Sequence, residues 1–320
     1  NDNVWVSQFP EFFCYDPDHQ IIHPHGWSDV SQLNYDVPAL HVHMIEAMKF
    51  WIEECKIDGF RCDMAHLVPL DFWVEAKKQL SEIKSDLFWL GECEEPEYHE
   101  VFDATYTWRW MHASEEFYHG RMNLQSMLTI LYKSVTEFPC AAFRTYFTSN
   151  HDENSWNGTE YEKYGYAAKL FAVFSSTWNG IPMIYSGQET ASKKRLKFFD
   201  KDPIEWDGKY ELHDFYKTLL TLRSTSKALR PADPHMLTRV VSHPDDPHIF
   251  SFLRKNGIHE VLVVLNCSGA EINFQVKGVQ GVFRNVFGGR DVNFDHEDSV
   301  FLRGWEFLVL EKVPMLSEPA

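Results

Sequence analysis

Apolar residues recur at helical spacing over 38–56, at Leu40, Met44, Ala47, Met48, Trp51 and Ile52, which predicts an amphipathic helix. A short run follows, Ile57-Asp58-Gly59-Phe60-Arg61-Cys62-Asp63, and reads as a strand ending in a polar residue. Helical spacing returns over 70–84 (Phe72, Trp73, Ala76, Leu80, Ile83), and Leu87-Phe88-Trp89-Leu90-Gly91-Glu92 reads as the next strand. The alternation continues with strands over 103–108, 145–152 and 181–185 and helices over 122–136, 160–178 and 211–228. Short strands alternating with helices of 10–20 residues indicate βα units and a parallel sheet. After Arg230-Pro231 the helical period disappears. Runs over 247–254, 259–266, 271–276, 281–286 and 305–311 predict a separate antiparallel β-sandwich. Residues 1–35 read as an irregular aromatic segment with turn signals at Asp16-Pro17-Asp18 and His23-Pro24-His25-Gly26.

Three spans follow: a loop segment with one helix (1–56), a parallel αβ part (57–231) and the sandwich (232–320). The length of 320 residues fits about two domains. The chain carries 47 acidic against 30 basic side chains, a net charge of −17. Such a chain repels nucleic acid and anionic membrane alike, and no apolar run approaches the ~18 residues of a membrane span. The six cysteines show no CxxC pair, so buried thiols are expected rather than a disulfide framework. Aromatic residues make up 15% of the chain. Most belong in a core, but exposed Trp and Tyr also make platforms for the apolar faces of sugar rings.

Chemistry concentrates where strands end, which in a parallel αβ barrel is the open mouth. Three of the five expected strands end in an acid: Asp63, Glu92 and Asp152. Side chains alternate along a strand, so Arg61 and Asp63 share a face and Cys62 points the other way, to the helical layer. Arg61 is placed to hold Asp63 ionised through a charge-assisted hydrogen bond. One strand-end acid alone reads as the N-cap of the helix that follows. Three of them, with an Arg two residues before one and a His beside another, read as a site.

Here the chain resembles the α-amylase family of retaining glycoside hydrolases (glycoside hydrolase family 13). The matching segments are Asp58-Gly59-Phe60-Arg61-Cys62-Asp63, Phe88-Trp89-Leu90-Gly91-Glu92 and Phe147-Thr148-Ser149-Asn150-His151-Asp152. Gly180-Ile181-Pro182-Met183-Ile184-Tyr185-Ser186-Gly187-Gln188-Glu189 is similar to the family's last barrel strand and the loop after it. The resemblance implies a TIM-type (β/α) barrel followed by an antiparallel β-sandwich. It implies Asp63 as the nucleophile, Glu92 as general acid and then base, and Asp152 as the group that stabilises the transition state. Arg61, His151 and His66 are the implied substrate-binding residues, with a subsite role for His66 standing beside a merely loop-capping one. The implied substrate is an α-1,4-glucan or maltooligosaccharide, the implied outcome hydrolysis or transglycosylation. No organic cofactor is implied.

Several family features are not matched. An Asp-x-x-x-Asn-His segment on the third barrel strand is absent, and Asn1-Asp2-Asn3-Val4-Trp5 is similar to the stretch that normally follows it. About five of eight βα units are present, where a complete barrel takes ~250 residues. The expectation is a C-terminal part of a longer polypeptide, with the missing N-terminal part of the barrel as a partner. Many members hold a structural Ca²⁺ with a His four residues after the nucleophile; that position is Leu67. The segment Val30-Ser31-Gln32-Leu33-Asn34 resembles the family's specificity region and looks closer to oligosaccharide-acting members.

Two rival readings fit the sequence less well. A zinc hydrolase would draw on His19, His23, His25, His41 and His43. His41 and His43 lie two apart on an expected helix, where they point about 200° apart and cannot share an ion. A non-catalytic sugar- or partner-binding module would be expected to have lost one of the three acids. No GxSxG, GxGxxG or GxxxxGK[ST] motif occurs.

Overall fold

The computed structural model describes residues 3–231, 233, 235–243, 246–296 and 299–313. Asn1 and Asp2, which open the stretch following the absent segment, lie outside the described residues. The chain divides into two units, one up to Thr105 and one from Tyr106 on.

In the first unit, α1 (Val4–Gln8) and α2 (Pro38–Glu53) precede β1 (Gly59–Cys62), α3 (Leu70–Ser81), β2 (Phe88–Gly91) and β3 (Ala104–Tyr106). The segment 1–35, expected to be irregular, holds the short helix α1 and two isolated bridges, Phe13↔Leu33 and Tyr15↔Ile21. β1 and β2 are parallel, with Gly59 opposite Phe88 and Cys62 opposite Gly91. Gly59 tolerates no side chain, because a Cβ there would lie 2.0 Å from the Phe88 carbonyl oxygen. The core of this unit gathers Ile45 and Ile52 of α2, Phe72, Trp73, Ala76 and Leu80 of α3, and Cys62, Trp89 and Phe102. Cys62 is buried and Arg61 is not, as strand alternation requires, and burial pushes the Cys62 thiol up to about 12.

The second unit holds α4 (Trp108–Tyr118), α5 (Leu124–Glu137), β4 (Phe143–Tyr146), α6 (His151–Trp156), α7 (Glu160–Tyr164), α8 (Ala168–Thr177), β5 (Ile181–Pro182) and α9 (His213–Thr225). The five strands so far follow one another in chain order, β1-β2-β3-β4-β5, as consecutive βα units of a barrel do. Two expectations fail locally. The run 103–108 is a strand only to Tyr106, and α4 starts at Trp108. The run 145–152 is a strand only to Tyr146, and its acid end is the first turn of α6. The reason is Asn150, whose Oδ1 accepts from Glu153 N at 2.8 Å and starts a helix where sequence alternation suggested more strand.

Beyond α9 come β6 (Leu237–Val240), β7 (Ile249–Asn256), β8 (His259–Asn266), β9 (Ile272–Gln275), β10 (Val282–Asn285), β11 (Val292–Asn293), β12 (Ser299–Leu302) and β13 (Phe307–Lys312). They form an antiparallel six-stranded sheet, β11-β10-β13-β8-β7-β6, and a two-stranded one, β12-β9. β7 and β8 alternate between two cores: Phe250, Phe252, Val261, Val263 and Leu265 join the helical core, while Ile249, Leu253, Leu262 and Val264 join Phe274, Phe283 and Leu302. A sheet buried on both faces has the uninterrupted apolar run that His259–Asn266 displays.

Candidate active site

The hydrogen-bond ladder between β1 and β2 runs one step past both strands, with Glu92 N donating to Cys62 O at 2.9 Å and Ala65 N to Glu92 O at 3.1 Å. Between these bonds the chain must reverse, and Met64 does so with φ of +39°. That left-handed conformation costs a non-glycine residue on the order of 1 kcal/mol. It turns the Met64 N–H onto Glu92 Oε2 at 2.9 Å. The turn is held from behind by two buried side chains. Trp73 Nε1 donates to Ala65 O at 3.0 Å, and the Tyr98 hydroxyl lies 3.2 Å from His66 O and 3.1 Å from Val68 O.

Arg61, Asp63 and Glu92 come together at this turn. Arg61 Nη1 donates to Asp63 Oδ1 at 2.5 Å, and its Nη2 lies 2.8 Å from Glu92 Oε2. The sequence predicted the first contact and missed the second. One planar guanidinium therefore bridges two carboxylates in different surroundings: the Glu92 side chain is 4% exposed and that of Asp63 79%. Asp63 caps no helix: the turn after it is capped by Met64 and α3 by Pro69, neither with a side-chain bond. The N-cap explanation of this acid is thereby excluded. His66 sits exposed on the turn Ala65–Leu67, and among the described residues its ring finds no hydrogen-bond partner.

In the second unit, His151 and Asp152 occupy the first turn of α6, His151 Nε2 3.3 Å from Asp152 Oδ2. An acid in a first helical turn is favoured by the free backbone N–H groups there. A neighbour the sequence did not single out is Tyr185. Burial raises its hydroxyl above the ordinary value, and the Asp152 charge adds to the shift. Tyr185 N donates to Gln188 Oε1 at 2.7 Å, and Gln188 Nε2 donates to Thr148 Oγ1 at 2.9 Å and Glu160 Oε2 at 2.5 Å. Glu160 also accepts from Thr148 Oγ1 at 3.0 Å, and its burial raises its carboxyl above the ordinary carboxylate value.

The position four residues after Asp63 is Leu67. Leu67 offers no donor atom where an imidazole is needed, and among the described residues no three His, Cys, Asp or Glu side chains are grouped to hold a metal. His41 bonds instead to Glu75 Oε2 at 3.0 Å and Tyr35 O at 2.9 Å, and the His43 ring packs against Phe9 at 4.8 Å.

Known proteins resemble the chain in sequence and in fold. A cyclomaltodextrinase from Bacillus sp. is 27% identical over 249 residues, covering 73% of this chain and 43% of its own. Alpha-amylase 2 of Dictyoglomus thermophilum is 26% identical over 265 residues, covering 77% and 45%. The chain thus spans less than half the length of these curated relatives. Among solved structures, a maltogenic alpha-amylase from Thermotoga neapolitana superposes with a TM-score of 0.85 at 27% identity, over 98% of this chain and 74% of that one. An alpha-amylase from Lactobacillus plantarum, at 24% identity and a TM-score of 0.83 over 98% and 75%, shares the fold. The family model for the alpha amylase catalytic domain matches residues 4–219, well over half of the chain, and the chain belongs to that family.

Proposed function

We propose that the chain carries the acid groups of a retaining α-glycoside hydrolase that acts on α-1,4-glucans or maltooligosaccharides. The observation that carries this reading is the Arg61 guanidinium in contact with Asp63 and Glu92 at once. Two carboxyls bridged by one planar cation stand at one place in the fold, as the acid pair of a double-displacement mechanism must, such pairs being about 5–5.5 Å apart.

In this mechanism the exposed Asp63 attacks the anomeric carbon and forms a covalent glycosyl-enzyme while Glu92 gives its proton to the leaving oxygen. Glu92 then takes a proton from the incoming water, which breaks the bond to Asp63 and releases the sugar. Unequal surroundings suit unequal roles: the nucleophile is open to the ligand, and the proton carrier is enclosed. Asp152, with His151 beside it, contacts sugar hydroxyls and stabilises the distorted, positively charged transition state. His66, exposed beside the nucleophile, binds substrate. No step runs through a metal or an organic cofactor. A sugar hydroxyl in place of water would make the same intermediate a glycosyl donor. The relatives' names, cyclomaltodextrinase and maltogenic alpha-amylase among them, favour an oligosaccharide over a long polymer, in line with the segment Val30-Ser31-Gln32-Leu33-Asn34.

The test is reducing-sugar release from maltoheptaose, with Asp63→Asn as the blank. Release that the blank abolishes supports the reading; equal release by both removes Asp63 from the chemistry.

A further inference from the structure

Trp156, Phe198 and Phe199 form an aromatic cluster at the surface, outside the hydrophobic cores given by the described residues. Their ring centroids lie 5.0 Å (Trp156–Phe198), 6.0 Å (Trp156–Phe199) and 4.9 Å (Phe198–Phe199) apart. The three residues are 56%, 41% and 69% exposed. Contiguous apolar surface kept in water is unfavourable and marks a binding site more often than an accident.

The cluster is built rather than left at a loose tip. Asn154 of α6 accepts from Leu196 N at 2.8 Å and donates to Lys194 O at 3.1 Å. Asp202 accepts from Lys197 N at 3.1 Å and pairs with Lys194 Nζ at 2.5 Å. The segment bearing both phenylalanines is therefore clamped on each side of them. Trp156 closes the same helix that His151 and Asp152 open, four residues and ~6 Å of rise beyond Asp152. An exposed ion pair, Lys197 to Asp200 at 3.6 Å, borders the rings with hydrogen-bonding groups. The rings share no plane, being inclined at 42°, 73° and 79°. A flat β-1,4-glucan ribbon needs coplanar platforms. An α-1,4 chain curves and turns each sugar face in a new direction.

We infer that Trp156, Phe198 and Phe199 form a subsite for an α-1,4-glucan chain, stacking against the C–H faces of its sugars while Lys197 and Asp200 meet the hydroxyls. The inference rests on the proposed α-glucan specificity and extends it to a place on the surface. Its consequence is a dependence on chain length: a long oligosaccharide reaches these rings and a disaccharide does not.

Binding is measured by calorimetry on the full chain carrying Asp63→Asn, so that no ligand is consumed, with maltoheptaose, maltose and cellohexaose as probes. Expected is about a tenfold weaker maltoheptaose affinity in Trp156→Ala and in Phe199→Ala, with maltose affinity unchanged. Phe199→Tyr restores the affinity, and Phe301→Ala, an exposed ring on β12, does not alter it. Melting temperatures within a degree or two of the parent exclude misfolding as the cause. Unchanged maltoheptaose affinity in both alanine variants overturns the inference. So does cellohexaose bound as tightly as maltoheptaose, or a self-association that Phe199→Ala abolishes while sugar binding persists. An unsubstituted chain that binds maltoheptaose through these rings yet releases no reducing ends sinks the hydrolase reading and leaves this subsite standing.

Discussion

The two regions that carry the candidate acids hold them by different physics. After β1 and β2, Asp63 and Glu92 are held by a charge: Arg61 touches both, with one backbone N–H added for Glu92. After β4, Asp152 is held by a helix start, which Asn150 caps, with a buried network of Thr148, Gln188 and Glu160 in the same unit. The first arrangement centres on one long side chain, and removing it takes the cation from a buried carboxylate. The second is shared among short side chains and backbone, so the loss of any one member is milder. Electrostatic holding gives a site concentrated strength and a single point of failure; capping and networks distribute both.

The largest expected effect concerns the chemistry itself. Glu92→Gln keeps the shape and both donors but carries no transferable proton, and turnover of maltoheptaose should fall by about 10²–10⁴-fold. Asp152→Asn should also fall by orders of magnitude, with the melting temperature almost unmoved in both variants. Near-normal turnover in Glu92→Gln would deprive the first region of its role and break the comparison at its root.

Next in size is the stability contrast. Arg61→Met leaves Glu92 enclosed with the Met64 N–H and without its cation, a loss of about 2–3 kcal/mol. Asn150→Ala removes one cap, worth about 1 kcal/mol. Denaturant midpoints of the two variants measure the difference directly. Equal losses would mean that Arg61 does not carry the first region as its contacts suggest.

The first region was the more legible of the two in the sequence. Alternation across Arg61, Cys62 and Asp63 fixes which side chain faces inward, and the structure buries Cys62 and leaves Arg61 and Asp63 out. The contact from Arg61 to Glu92 was not legible, because it joins residues 31 positions apart and depends on the register of two strands. The positive φ of Met64 was equally hidden, since nothing about a methionine announces a left-handed turn. In the second region the run 145–152 reads as strand, yet the strand is Phe143–Tyr146, and the asparagine cap decides the rest. α4 was hidden because Trp108 and Trp110 suit a strand as well as a helix. Trp305, at the start of the run 305–311, is half-buried, its ring 5.3 Å from Tyr118 and 6.2 Å from Phe117. Short strands with mostly exposed residues, such as Leu237–Val240, gave no apolar signal to read.

The smallest effect tests whether the network of the second region works through neutral hydrogen bonds, as the contrast with Arg61 requires. Burial raises the Glu160 carboxyl, while the bonds from Gln188 and Thr148 and the nearby Lys163 charge pull the other way without cancelling it. A carboxyl that binds its proton more tightly folded than unfolded stabilises the protein fully below its ordinary value of 4.5. That contribution fades as pH rises through the raised value. Glu160→Gln has no proton to lose and keeps an acceptor oxygen for Thr148 and Gln188. Relative to the parent, the variant should therefore gain stability with rising pH and level off once Glu160 has ionised. Melting temperatures of both proteins between pH 4 and 8 read this out. A difference that falls as pH rises through that range would mean that Glu160 binds its proton less tightly folded than unfolded and is held as a charge. The second region would then rest, like the first, on an ion pair, here with Lys163, and the distinction between the two would fall.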